Sequence, residues 1–223
     1  MRLVVPSNGL NVEFYENNVN VLTIENQSVF SSVMGDLWAQ YNGLDGEIIL
    51  SDNDALLKIP KIVECIFNIY SVNCNDKKII TKIYQEMVQL AGESLTERTA
   101  EINELIINYL EDVLQTVPYR LSQSLELDVS GLLKLYDVKI ETEAVPILEN
   151  LTNYIKLASK VLGKKIFVFS DIKHYLCREE LIALYELAFY EKVYILIIEG
   201  DDISHLENEK HVIVDKDLCV IEI

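Results

Sequence analysis

The chain has 223 residues, half of them hydrophobic, with 8 glycines and 4 prolines. That length suits one large domain, or a head with an insertion, and the scarcity of glycine and proline excludes low-complexity linkers. A formal net charge of −17 is repelled by phosphate polymers unless positive charge is concentrated or cations intervene.

No apolar run approaches the roughly 20 residues that span a bilayer. The opening stretch MRLVVPSNGLNVEFYENN has one Arg and an apolar run too short for a secretory signal. The expectation is a soluble cytoplasmic protein with no membrane partner. Residues 1–57 read as β-rich with one helix: strands at 3–5, 12–15 and 20–25, a helix over about 28–41, a break at GLDG (43–46) and a strand at 47–51. Arg2 is the single basic residue among the first 57, against eight acids.

Residues 58–143 change character. IPKIVECIFNIYS, DKKIITKIYQEMVQLAGES and SLTERTAEINELIINYLEDVLQT carry apolar residues at a helical period. Gly92 reads as a stop, and Ser94 with Glu97 has capping-box spacing. No strand interrupts these helices before VKIET at 138–142. Residues 144–223 return to α/β. A helix over about 145–162 precedes a strand at 164–171, a helix over about 178–191, the strand of VYILIIEGDD and a hairpin turning at Asp215–Asp217. The near-continuous apolar runs 166–169 and 193–198 suit parallel strands covered on both faces. The predicted fold is a discontinuous α/β head, 1–57 plus 144–223, with an α-helical leg, 58–143, inserted.

A strand feeding a tight turn and a helix is where many α/β proteins hold a nucleotide phosphate. That chemistry needs glycines to free the backbone amides, a lysine for the β/γ charge and a Ser/Thr for magnesium. The turn after Ile24 is Glu-Asn-Gln-Ser, with no glycine or lysine and an acid where the anion should sit. Asn26 or Ser28 is better read as a helix N-cap. Asp171, Asp201 and Asp202 stand at strand ends without a phosphate loop and read as solvated turn residues. No G-x-S-x-G, Cys/His pair or H-E-x-x-H appears. Cys65, Cys74, Cys177 and Cys219 match no zinc spacing and read as reduced, packed hydrophobes. His174, His205 and His211 form no ligand pattern, the last two being six apart and so not aligned on one helix face.

The lysines say more. From Asn150 to Ser170 there are four lysines and no acid. Lys156, Lys160 and Lys164 stand at i, i+4 and i+8, Lys165 adjoins them and Lys173 follows the next strand. Such a stripe could grip a phosphate backbone, or be a solvated face with no partner. Arg120, in the acid-free stretch VLQTVPYRLSQSL, is a lesser candidate. The reverse pattern lies at 126–143, where Glu126, Asp128, Asp137, Glu141 and Glu143 could supply oxygens to a hard cation, or form an exposed acidic hinge.

The order strand–IENQSVF–helix, a helical insertion, an acidic segment running into VKIET, then LGKKIFVFSD, a helix and VYILIIEGDD resembles the type II-A CRISPR-associated DNA-end-binding ring protein, the accessory adaptation subunit. The resemblance runs over nearly the whole chain. It implies a P-loop-ATPase-like head without a functional phosphate loop or bound nucleotide, and a projecting helical leg. It implies a calcium-stabilised homotetrameric ring that threads linear double-stranded DNA from an end during spacer acquisition, alongside the CRISPR integrase and the effector nuclease. Metal binding is carried onto Glu126, Asp128, Asp137, Glu141 and Glu143. DNA contact is carried on charge grounds onto Lys156, Lys160, Lys164, Lys165, Lys173 and Arg120. The expectation is a non-enzymatic DNA binder; the rivals are a protein-interaction scaffold that never touches DNA and a divergent nucleotide-dependent enzyme.

Overall fold

The computed structural model describes all residues except Asp54, 142–145, Asp202 and Ile223. The chain divides into a head, Met1–Cys74 with Thr142–Ile223, and a helical unit, Asn75–Glu141.

The head begins with β1 (Arg2–Val5), β2 (Leu10–Glu13), β3 (Val19–Ile24), α1 (Gln27–Tyr41), β4 (Ile49–Asp52) and β5 (Ala55–Leu57). A single turn, α2 (Ile59–Ile62), leads into β6 (Val63–Ile66). Here the helical reading of IPKIVECIFNIYS is corrected. Pro60 suits a first helical turn, but Val63–Ile66 is buried throughout and pairs in parallel with a later strand. Residues 58–74 therefore lie in the head.

The helical unit holds α3 (Lys77–Ser94), α4 (Thr96–Leu114) and α5 (Val129–Leu135). Gly92 does not stop α3, and the Ser94–Glu97 capping box does not form: the Ser94 hydroxyl donates instead to the Leu90 carbonyl at 2.6 Å. Residues 138–141 are not a strand. The Asn75 side chain brackets Ile140, donating to its carbonyl at 3.0 Å and accepting from its N–H at 2.9 Å. Two amide bonds thus stand in for a strand partner.

The chain re-enters the head with α6 (Ile147–Leu162), β7 (Ile166–Ser170), α7 (Arg178–Glu191), β8 (Tyr194–Glu199), β9 (Glu209–Val214) and β10 (Val220–Glu222). The larger sheet has the order β10-β9-β3-β8-β7-β6, parallel except for the β9–β10 hairpin. A smaller antiparallel sheet has the order β2-β1-β4-β5.

Side chains alternate across the large sheet with period two. Leu22, Ile24, Ile166, Val168, Leu196, Ile198, Val212 and Val214 share one core with α1 and the smaller sheet. The opposite face takes Val21, Phe167, Phe169, Ile195 and Ile197, and α6 and α7 bond to it through Tyr154 and Tyr185. Burial on both faces accounts for the continuous apolar runs in the sequence.

β3 enters α1 through the turn singled out above. Asn26 is the N-cap, and its side-chain oxygen accepts from the Ser28 and Val29 amides at 3.1 and 3.2 Å. Its Nδ2 donates to the Lys216 carbonyl in the β9–β10 turn. Asn26→Ala should lower stability by about 1 kcal/mol, read from the midpoint of urea unfolding at unchanged slope.

Candidate functional site

Phosphate binding at the β3–α1 turn requires free amides. Two are already taken by Asn26, and the turn supplies no cation. The turn joins a strand to a helix at the carboxyl edge of a parallel sheet, without the groups that hold a phosphate.

The structure takes the lysine stripe apart. Helix α6 ends at Gly163, whose φ of 70° forms a left-handed C-cap, so Lys164 lies beyond the helical register. It turns inward and is 8% exposed. Its ammonium donates to the Pro60 and Val63 carbonyls at 2.9 and 2.6 Å and pairs with Glu64 at 3.0 Å. Those three partners use all three ammonium protons. Glu64 in turn accepts from the Tyr41 and Tyr154 hydroxyls. Lys173 is likewise internal: its ammonium reaches Glu209 and the Ser204 carbonyl, both at 2.9 Å, with 2% of the side chain exposed. Assigning DNA contact to Lys164 and Lys173 is therefore corrected. Both are drawn in by the buried carboxylates of Glu64 and Glu209, whose charge they balance.

Lys160 and Lys165 remain exposed and Lys156 half-exposed on the head; Arg120 is exposed in the helical unit, in the segment between α4 and α5. Lys160 and Lys165 share a recess of about 490 Å³ with Lys192, a residue the sequence did not single out. Lys192 caps α7 in the left-handed conformation, φ 55°, a place usually given to glycine. Both helices thus end at one edge of the head, where their C-terminal carbonyls favour cations. Glu191, 3.5 Å from the Lys160 ammonium, and Asp52 also line the recess, so its charge is mixed.

Of the five acids expected to bind metal, Glu143 lies outside the described residues. Glu126, Asp128, Asp137 and Glu141 are exposed. Asp137 pairs with Lys139 at 2.5 Å, and the Asp128 carboxylate packs over Gly131, where a Cβ would lie 2.7 Å from its Oδ2. Among the described residues of one chain these acids do not gather three donors, and so do not by themselves fit a calcium site.

A different group does converge. One donor atom each from Asp171, His174 and Glu199 lies within 4.8 Å of the others. The sequence offered Asp171 as a strand-end acid, but His174 and Glu199 were missed. The available signal was that two central parallel strands both end on an acid, with an imidazole three residues beyond one of them. His205 and His211 also meet, their rings stacked at 3.8 Å, because a loop and a strand align them rather than a helix. Cys65 and Cys74 are buried as expected; Cys177 and Cys219 are exposed.

Residues 40–218 match the family described as CRISPR-associated protein (Cas_Csn2). The chain belongs to that family. The "CRISPR-associated protein Csn2" of Streptococcus agalactiae is 27% identical over 211 residues, covering 92% of this chain and 90% of the relative. A solved structure from Pyrococcus furiosus, named for the ATP-binding protein of an ABC transporter, covers 91% of this chain and 88% of its own at 12% identity, with a TM-score of 0.39. The family assignment gives this Csn2-family chain a CRISPR-associated role in antiviral defence. Among its described residues no helix is long and apolar enough to cross a membrane.

Two predictions follow from the buried lysines of this Csn2-family head. Lys164→Ala strands the Glu64 charge and should cost roughly 3–5 kcal/mol in denaturant unfolding, whereas Lys165→Ala should stay within about 0.5 kcal/mol. The second concerns Glu209. Burial works against its charged form, but hydrogen bonds from His211, Tyr185, the Leu206 amide and Lys173 outweigh burial and hold its pKa at about 2, below the ordinary 4.5. A depressed pKa contributes stability that is complete above 4.5 and lost as pH falls toward 2. Thermal unfolding across that window should fall steeply for the native chain and more shallowly for Glu209→Gln, which starts less stable at pH 7.

Proposed function

We propose that four copies of this chain assemble into a ring that encircles linear double-stranded DNA, without reading its sequence, during acquisition of new CRISPR spacers alongside the integrase and the effector nuclease. The observation that carries this reading is the unburied apolar side of α4. Its 19 residues include none that is buried, although Ile102, Leu105, Tyr109 and Val113 recur at helical spacing. Leu105 is 69% and Tyr109 68% exposed. An apolar stripe left in water forfeits about 25 cal/mol per Å². A second copy presents the same stripe, and two-fold pairing matches like with like.

Once Lys164 and Lys173 are set aside, the phosphate contacts fall to Lys160, Lys165 and Lys192, with Lys156 and Arg120 as further cations. Few contacts make a modest, salt-dependent grip; enclosure by the ring would supply persistence. The filled and cation-free β3–α1 turn favours binding over nucleotide chemistry, so the reading is non-enzymatic. Calcium enters as an ion between copies, since its donors would have to come from more than one chain or include Glu143. Bound there, it would cancel repulsion among carboxylates. The setting for this activity is the cytoplasm.

Native mass measurement should give a tetramer that a chelator loosens. In shift assays the ring should bind linear but not closed-circular duplex, with log affinity falling as log salt rises. Leu105→Glu with Tyr109→Glu should yield monomers. The triple change Lys160→Glu, Lys165→Glu and Lys192→Glu should leave the tetramer intact and abolish DNA binding. A chain monomeric at every concentration would sink the proposal. An intact tetramer that ignores both DNA forms would favour the scaffold reading, for which the same apolar stripe provides a surface.

A further inference from the structure

The Asp171–His174–Glu199 group is built by backbone placement. β7 and β8 pair in parallel, Ser170 opposite Ile198, so Asp171 just after β7 and Glu199 at the end of β8 emerge side by side. Asp171 adopts φ 54° and donates its N–H to the Ile198 carbonyl at 3.0 Å. That left-handed residue starts the 3-10 turn Ile172–His174 and returns the imidazole over the strand ends.

Glu199 is the telling member. It is 1% exposed. Its Oε1 accepts the Lys173 N–H at 3.1 Å, but its Oε2 is buried with no hydrogen-bond donor among the described residues. The Lys173 ammonium, on the residue whose amide Glu199 accepts, is spent on Glu209 and the Ser204 carbonyl. His174 Nδ1 faces Oε2 at 3.5 Å without donating a hydrogen bond to it. A buried carboxylate oxygen without a partner is costly, and the adjacent Asp171 charge makes it more so. Burial above all, with Asp171 adding, raises the Glu199 carboxyl above its ordinary pKa, although the Lys173 amide and nearby positive charge oppose this.

We propose that Asp171, His174 and Glu199 bind one divalent first-row transition cation per chain, zinc by its donor set. One imidazole nitrogen with two carboxylate oxygens suits zinc, whereas calcium and magnesium favour all-oxygen surroundings. Three protein donors leave a fourth position for water, with the half-exposed His174 on the solvent side. This site uses none of the acids of the segment 126–143 and none of the lysines assigned to DNA, so it stands or falls apart from the ring.

The test is calorimetric titration of the full, metal-free chain with zinc, and separately with calcium and magnesium. Zinc should bind one per chain, and calcium and magnesium at least ~10-fold more weakly. Loss of a mere supporting partner costs metal sites about 10–100-fold in affinity, so His174→Ala, Asp171→Asn and Glu199→Gln should each weaken zinc by at least that. Cys177 and Cys219 are exposed thiols that could take zinc on their own; Cys177→Ser with Cys219→Ser should leave binding unchanged, and cobalt bound in place of zinc should show no thiolate charge-transfer band. If Glu199→Gln fails to fold, His174→Ala at its exposed position keeps the test. Absence of zinc binding overturns the proposal, as does zinc binding that survives His174→Ala or disappears with the two cysteines.

Discussion

The head is organised by the need to neutralise acids on one face of its large sheet. By register, Glu64 lies opposite Phe167, Glu199 opposite Thr23 and Glu209 opposite Val19, so all three share the face that α6 and α7 cover. The other face is apolar and packs α1 with the smaller sheet. Ions taken out of water must find partners in good geometry. Glu64 takes Lys164 and two tyrosine hydroxyls. Glu209 takes Lys173, His211, Tyr185 and a backbone amide. These pairings pin helix α6 at its C-cap and the turn after β7, and so fix which lysines remain outside.

This is also why the lysine stripe was not legible. Spacing of four aligns residues on a helix only while the helix lasts, and Gly163 ends it one residue before Lys164. Nor does sequence reveal that Glu64 waits in the sheet, because β6 itself was hidden. Val-Glu-Cys-Ile is four residues behind a proline, apolar but for Glu64, and periodicity cannot tell so short a segment from a turn of buried helix. The long elements were readable for the opposite reason. Continuous apolar runs at β7 and β8, turn residues at Asp215–Asp217 and an asparagine before α1 each have one ready physical solution. The Asp171–His174–Glu199 group falls between: its acids were visible, but their adjacency depends on strand order, which local pattern does not encode.

The charge of −17 is less of an obstacle than it looks, because charge acts by location. Lys160, Lys165 and Lys192 stand together where α6 and α7 end, and exposed charges farther away than about 10 Å are screened at ordinary ionic strength. The same accounting weakens the grip: Glu191 and Asp52 lie in the same recess. One chain would hold a phosphate backbone poorly. Repetition around a closed assembly multiplies weak contacts through effective concentration, so the proposed function depends on self-association more than on any single lysine.

That dependence bears on the two ends of the head differently. At the β3–α1 turn the Asn26 side chain has taken two of the amides an anion would need, and no lysine is within the turn, so the turn itself offers little to a phosphate. One strand over, the edge offers the reverse: Asp171 and Glu199 concentrate negative charge, and one buried Glu199 oxygen receives no hydrogen bond from the described residues. That part of the edge suits a cation rather than an anion, while Lys165 and Lys192 stand at the opposite ends of β7 and β8. DNA approaching the head would therefore be turned from the carboxyl edge toward the lysine recess, and an ion bound by Asp171, His174 and Glu199 would reduce that bias rather than create it.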